Sequence, residues 1–254
     1  MFSIIVVSLN TKKKFEKTIK SILKQNIKNY EIIVIDGKST DGTLHLIKKF
    51  DLKINKLHIG RDNGIYFAMN KGIEMASKKW TIFMNSGDIF YRKNTLKNIR
   101  NFLKNKKTDV LVGNSIVYDG NIFLKRKSKK LLVNSLESSF SHQSCVVKTS
   151  LIKKTKFNTS FKIAADFNFF VNLLRNKKKF IYVNQIFSIN EAGGLSDKRR
   201  INAIREFYIV NKYNKNISYK LIRYSLLVFY QILSRVIKIF ITKNFANKIK
   251  KSIN

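Results

Sequence analysis

Ile32-Ile33-Val34-Ile35-Asp36-Gly37-Lys38-Ser39-Thr40-Asp41-Gly42-Thr43 sets an unbroken β-branched run against a cluster of turn formers, with an acid at the junction. An apolar run of this length without alternation reads as a strand covered on both faces, Glu31 to Ile35. The polar cluster predicts a loop, with Ser39 and Thr40 offered as the N-cap of a helix through Phe50. Upstream, Phe2 to Val7 is a second run fit for a central strand, apolar but for Ser3, and Phe15, Ile19, Ile22 and Leu23 fall on one face of a helix over 15–25. Downstream, a helix from Gly64 carries Ile65, Ala68, Met69, Gly72, Ile73 and Ala76 on one stripe, and Trp80 to Met84 is a third strand. Strands alternating with amphipathic helices predict an α/β fold with a parallel sheet and crossover helices.

Beyond Ser86 the pattern mixes. A helix near Asn94 to Asn105, a strand at Val110 to Val112 and antiparallel strands around Ser115 to Leu124 are expected. Strands at Cys145 to Val147 and Phe180 to Val183, and helices at Ala165 to Asn176 and Arg199 to Tyr213, follow. The lysine-rich stretch Lys125 to Lys130 reads as an exposed, mobile loop. A chain of 254 residues, 44% of them hydrophobic, buries one sizeable core. We therefore expect one catalytic domain over residues 1–213 and a basic, amphipathic helical tail over 214–254.

The formal charge of +36 would attract nucleic acid, anionic lipid or phosphorylated ligands, and names none of them. Abundant Lys, Asn and Ile with no proline are also what an AT-rich coding bias produces. Cys145 is alone, so it forms no internal disulfide, and a buried thiol in a reducing cytosol is the expectation. Met1 to Leu9 lacks a basic leader and a cleavage site and reads as a strand. Leu221 to Ile241 is apolar but is broken by Arg223, Arg235 and Lys238, so it is expected to lie on a membrane or on protein and not to cross a bilayer.

In an open parallel sheet, ligands bind beyond the carboxyl ends of the strands. Asp36 ends the second strand, and Asp88 follows the third in Phe83-Met84-Asn85-Ser86-Gly87-Asp88. Carboxylates so placed accept hydrogen bonds from a base or ribose, or hold a divalent cation against a diphosphate. Taken singly, Asp36 or Asp41 would be a turn or cap residue; together with Asp88 they point to a nucleotide site.

The chain resembles the family 2 glycosyltransferases, inverting enzymes with a GT-A fold. The resemblance runs over residues 2–195. It rests on Ser3-Ile4-Ile5-Val6-Val7-Ser8-Leu9-Asn10, the Asp36 to Thr43 segment, Asp62-Asn63-Gly64-Ile65-Tyr66 and Ala68-Met69-Asn70-Lys71-Gly72. Asn85-Ser86-Gly87-Asp88, Ser141-His142-Gln143-Ser144, Ala164-Ala165-Asp166 and Gly193-Gly194-Leu195-Ser196 resemble a branch that builds bacterial surface polysaccharides of the colanic-acid type. The resemblance implies a GT-A-type, Rossmann-like, mostly parallel sheet flanked by helices. It also implies a nucleoside-diphosphate sugar held by Asp36, Asp62, Asn70, Lys71 and Asp88. Asp88 matches the last acid of the family's metal motif, which implies Mg²⁺ or Mn²⁺; His142, at a matching position amid polar neighbours, would be a second metal ligand or a phosphate contact, its alternative being a structural histidine. Asn85 and Gly87 stand where many members carry aspartates, and Phe67 and Met69 where this branch often carries aspartate and arginine.

Asp166 is the implied catalytic base, taking the proton from an acceptor hydroxyl as it attacks the anomeric carbon; its alternative is helix capping. Gly193 and Gly194 would let a loop close over the substrates. The expected function is inverting transfer to a glycan or lipid-linked acceptor in cell-surface polysaccharide synthesis, on the cytoplasmic face of the membrane. The tail would bind the anionic membrane surface or mediate oligomerisation. Two alternatives compete: a sugar nucleotidyltransferase, which would need a glycine-rich, basic motif that Ser8-Leu9-Asn10-Thr11 lacks, and a nucleic-acid or anionic-surface binder. The second explains the charge but not three acids at strand ends, and no specific nucleic-acid partner is expected.

Overall fold

β1 (Phe2–Ser8) forms the spine of the sheet, with Phe2, Ile4, Ile5 and Val6 wholly covered. The computed structural model describes residues 1–104, 107–132, 138–194 and 199–211, and the isolated positions 225, 226, 229, 230 and 233. After β1 come α1 (Lys12–Leu23), β2 (Tyr30–Asp36), α2 (Thr43–Lys49), β3 (Lys56–Ile59), α3 (Ile65–Met75), β4 (Trp80–Phe83), β5 (Ile89–Phe90) and α4 (Thr95–Lys104). The second half supplies β6 (Val110–Tyr118), β7 (Phe123–Arg126), β8 (Cys145–Lys148), α5 (Thr149–Thr155), α6 (Ala165–Arg175), β9 (Phe180–Glu191) and α7 (Arg200–Asn211).

One sheet runs in the order β3-β2-β1-β4-β8-β6-β9-β5, with β7 paired to β6. β3, β2, β1 and β4 are parallel, as the βαβ pattern demands. β8 runs antiparallel to both β4 and β6, and β6 pairs parallel with β9. Two reversals restore direction, so β1, β2, β3, β4, β6 and β9 all end on one edge of the sheet. That edge is where an open α/β sheet binds ligands.

Alternate residues of the central strands feed two hydrophobic layers. Ile5, Ile33 and Ile35 face α3 and α6, whereas Ile4, Val6, Ile32 and Val34 face α1 and α4. Each fully buried Ile or Phe contributes about 1.5–3 kcal/mol relative to exposure. α3 lies very close to the sheet, because a Cβ on Gly72 would fall 2.5 Å from Ile5 Cγ2.

Several expectations need correction. Ser39 and Thr40 do not cap α2: the helix starts at Thr43 with Gly42 as its N-cap at φ 90°, and Ser39 bonds to Asp36. β3 was not foreseen, because Lys56-Leu57-His58-Ile59 lies at the sheet edge and never forms an apolar run. Lys125 and Arg126 belong to β7 and not to a loop. β9 continues past Val183 to Glu191 through the exposed Asn184 and Gln185, where its pairing with β6 shifts register. The predicted tail over 214–254 lies outside the described residues, apart from the five isolated positions. There, Leu226, Phe229, Tyr230 and Leu233 are helical and 44–64% exposed. Among the described residues, no helix is long and apolar enough to cross a membrane.

Candidate active site

The turn after β4 is built by backbone and by one hydroxyl. Met84 and Ser86 continue the ladder onto β1 through Ile5 O and Val7 O, and the Asp88 N–H closes on Asn85 O. Thr18 of α1, wholly buried, accepts the Gly87 N–H at 2.9 Å and donates to the Asp88 carbonyl at 2.8 Å. Gly87 sits at φ 109°, where a side chain would be strained and would meet Glu191 Oε2 at 2.8 Å.

This clasp aims the Asp88 side chain into a cavity of about 540 Å³ that Asn85, His142, Asp166, Asn190 and Glu191 also line. The volume lies in the range of small-ligand sites, about 300–1,000 Å³. Gln143 Nε2 donates to Asp88 Oδ2 at 2.9 Å, and the Glu191 N–H also reaches the carboxylate. Burial dominates, pushing the Asp88 carboxyl up to about 6 against those bonds and the nearby His142 ring.

Asp166, in the first turn of α6, is held from two sides. His142 Nδ1 lies 3.0 Å from Asp166 Oδ2, and the Tyr66 phenol lies 3.0 Å from Oδ1 and 2.6 Å from the Ile163 carbonyl. His142 Nε2 faces Asn85 Nδ2 at 3.4 Å, so the consistent tautomer has Nδ1 donating to Asp166 and Nε2 accepting. Burial opposes the Asp166 charge, but the His142 bond and charge, the Phe167 N–H and Tyr66 outweigh it and hold the carboxyl below its usual value. The pull is mutual: burial lowers the His142 pKa, and Asp166 and Asp88 more than reverse this. The segment leading into α6 is held by another acid. Glu206 of α7 accepts the N–H groups of Lys162, Ile163 and Ala164 at 2.8–3.0 Å.

The remaining sequence candidates lie elsewhere on the same edge. Asp36 is wholly buried, and both its oxygens accept bonds from Ser39, the N–H at 2.7 Å and the hydroxyl at 2.8 Å. Asp62 Oδ2 is buried without a partner; burial raises its pKa, His58 and Lys71 lower it, and the Asp36 charge adds to the rise. Asp36, Asp62 and Lys71 thus form a group beyond β2 and β3, apart from the Asp88–Asp166 cavity. Asn70 belongs to neither. Its amide pins Phe157, accepting its N–H and donating to its carbonyl, both at 2.8 Å. Cys145 is a buried free thiol whose pKa burial raises, as expected of an inert cysteine.

Among the described residues, no three His, Cys, Asp or Glu side chains cluster as a metal cage. The donor set still fits a cation shared with a diphosphate. Asn85 Oδ1 and Ser86 Oγ are buried without partners beside Asp88, and Mg²⁺ typically takes only one or two carboxylates and draws other ligands from phosphate.

Sequence reasoning met Tyr66 and Gln143 only as motif members without a role of their own, and missed Thr18, Asn190 and Glu191. Asn190 and Glu191 carry the signal that singles out Asp36, polar residues closing a strand, but the expected strand Phe180 to Val183 stops at the polar Asn184 and Gln185, short of them. Asn190 is 6% exposed and its Oδ1 has no partner. Glu191 pairs with Lys14 at 2.7 Å.

The family model "Glycosyl transferase family 2" matches residues 3–182. A PGL/p-HBAD biosynthesis glycosyltransferase of Mycobacterium tuberculosis is 27% identical over 204 residues, 78% of this chain and 79% of the relative. The poly(ribitol-phosphate) β-N-acetylglucosaminyltransferase TarP of Staphylococcus aureus is 29% identical over 192 residues, 70% of this chain; the chain spans 58% of that relative's length. Among solved structures, S. aureus TarS 1–349 in complex with UDP-GlcNAc superposes with a TM-score of 0.68 at 20% identity, covering 86% of this chain and 69% of TarS 1–349. That likeness extends the GT-A fold to the present sheet. With the family model covering both the turn that carries Asp88 and the helix that carries Asp166, the chain belongs to glycosyl transferase family 2 and is a glycosyltransferase.

Proposed function

We propose that this enzyme transfers a sugar, with inversion, from a nucleoside-diphosphate sugar to a hydroxyl of a glycan acceptor carried on lipid, in the synthesis of a cell-surface polymer. The observation that carries it is the convergence of Asp88 and Asp166 on one cavity, bridged by the adjacent residues His142 and Gln143. Asp36, Asp62 and Lys71 take the nucleotide, and Asp88 faces the diphosphate. A divalent cation, Mg²⁺ or Mn²⁺, held by Asp88 with Asn85, would neutralise charge on the departing diphosphate. His142 enters as the partner of the base, its metal role requiring that Nε2 leave Asn85.

Asp166 accepts the acceptor hydroxyl's proton as that oxygen bonds to the anomeric carbon. The bond from that carbon to the diphosphate oxygen breaks, and the electron pair leaves with the nucleotide. A single displacement needs one base and no covalent sugar intermediate, in keeping with one carboxylate positioned by His142 and Tyr66. TarS binds UDP-GlcNAc and TarP acts on poly(ribitol-phosphate), which supports a UDP-sugar donor and a surface-polymer acceptor. The catalytic domain spans 1–213. The tail over 214–254 holds the enzyme on the cytoplasmic face of the membrane or joins two copies; the helical, exposed Leu226, Phe229, Tyr230 and Leu233 favour such an apolar face.

A thermal-unfolding screen of UDP- and GDP-sugars tests the donor. A cognate donor at about 100 times its Kd stabilises by about 2.7 kcal/mol. NMR of the product then reads the anomeric configuration. Retention of configuration, or stabilisation by none of the nucleotide sugars, would refute the assignment.

A further inference from the structure

The β6–β7 hairpin displays a surface that sugar transfer does not require. All four residues of β7 are exposed, and among the described residues β7 pairs only with β6. Ile122, Phe123 and Leu124 are 57–61% exposed, an unusual apolar cluster for an open strand edge. The turn that presents them is tightly organised. Asp119 Oδ1 accepts the N–H groups of Asn121 and Ile122 at 2.9 Å, and the Tyr118 ring stacks on Phe123 at 4.4 Å. The apolar tip is therefore held out to solvent by its own bonds.

The charge on the same segment is one-sided. Lys125, Arg126, Lys127, Lys129 and Lys130 are all exposed, and no acid occurs from Gly120 to Leu132. Five cations directly behind three apolar side chains match an anionic bilayer: the tip enters the acyl boundary while the lysines meet headgroups. A nucleic acid would engage the cations but leave the apolar tip unmatched, and two copies of the hairpin would set like charges against each other. The hairpin also forms a wall of the active-site cavity. Val117 and Arg126 line it, and the Arg126 guanidinium donates to Ser138 O at 2.7 Å.

We propose that the β6–β7 hairpin docks the mouth of the cavity on an anionic membrane surface. This deepens the assignment of a lipid-borne acceptor, and it places the reaction at headgroup level independently of the C-terminal tail.

The test uses the full chain, with vesicles of phosphatidylglycerol and phosphatidylcholine in equal parts and vesicles of phosphatidylcholine alone. Phe123→Trp provides a reporter at the tip, since the native Trp80 is 3% exposed in the core. On anionic vesicles its emission should shift to the blue and be quenched by brominated acyl chains, with neither change on neutral vesicles. Lys125→Glu/Lys127→Glu should weaken vesicle binding by at least about 25-fold, about fivefold per lost cation. Donor hydrolysis should be unchanged, because neither residue lines the cavity. Vesicle binding with no quenching at position 123 and no loss in the double variant would overturn the proposal, assigning binding to another surface. So would an absence of vesicle binding, or a double variant that loses only DNA binding or self-association. Absence of donor hydrolysis by the unsubstituted chain, with the vesicle results as expected, would instead count against the transfer assignment and leave the docking surface standing.

Discussion

Replacing Glu31 by glutamine separates the stability of the sheet from the chemistry of its opposite edge. Glu31 is the second residue of β2, near the end of the strand opposite Asp36, and is 4% exposed. Its Oε1 accepts Ser3 Oγ–H and the Ser77 N–H at 2.6 Å and the Lys78 N–H at 3.2 Å. Oε2 accepts Ser77 Oγ–H at 2.7 Å and faces Lys56 Nζ at 3.3 Å. One carboxylate thus joins β1, β2, β3 and the turn between α3 and β4. Glutamine keeps a single acceptor oxygen. If that oxygen serves Ser3, Ser77 and Lys78, the amide NH₂ confronts Ser77 Oγ, which can rotate to accept, and the Lys56 ammonium, which cannot. Hydrogen bonds to charged groups contribute about 1.5–3 kcal/mol, so the variant should lose about 2 kcal/mol. With a urea slope of about 3 kcal/mol/M, the midpoint falls by about 0.7 M at pH 7. Burial raises the Glu31 carboxyl, but the Ser3, Ser77 and Lys56 bonds outweigh it and bring the pKa from 4.5 to about 2. The folded pKa lies below the unfolded one. The contribution is therefore complete above pH 4.5 and is lost as pH falls towards 2, at no more than about 1.4 kcal/mol per pH unit. Urea titrations of both proteins from pH 7 to pH 3 should show the gap between midpoints narrowing only below pH 4.5. Equal midpoints at pH 7, or a gap indifferent to acid, would refute this account, and so would a loss of donor binding in the folded variant.

Gly72→Ala should destabilise by about 1–3 kcal/mol in urea melts, since its Cβ would fall 2.5 Å from Ile5 Cγ2 and force α3 off the sheet. Asn70→Ala should cost about 1–3 kcal/mol by leaving the Phe157 N–H and carbonyl unpaired, and calorimetry should find donor affinity nearly unchanged in the folded fraction. Asp88→Asn should weaken donor binding and blunt the response of turnover to added Mg²⁺ or Mn²⁺; unaltered binding and metal response would remove Asp88 from the donor site.

The parallel half of the fold was legible because burial on both faces writes itself as unbroken apolar runs, as in Ile4–Val6 and Ile32–Ile35. β3 was not, since this edge strand leaves Leu57 and Ile59 exposed and half-buries Lys56 and His58, so no covered apolar face marks it. The acids at strand ends could be read from position alone. What each touches could not: nothing local distinguishes Asp36, whose oxygens both serve Ser39, from Asp88, which faces the cavity. Asn70 illustrates the same limit, a polar residue in a nucleotide-site motif whose amide is taken by Phe157, 87 positions away. His142 could be singled out as a rare histidine amid polar neighbours, but its partner, Asp166, is set by the packing of α6 against the turn before β8.

The central claim is that Asp166 is the base and not a structural acid. Its most direct test measures donor affinity and single-turnover transfer side by side in the wild-type enzyme and Asp166→Asn. The carboxamide keeps the shape of the side chain and an oxygen for the His142 Nδ1–H, but it takes up no proton. Donor affinity should be unchanged while transfer falls by about 10²- to 10⁴-fold, the usual contribution of general-base catalysis. Near-normal transfer by the folded variant would contradict the assignment.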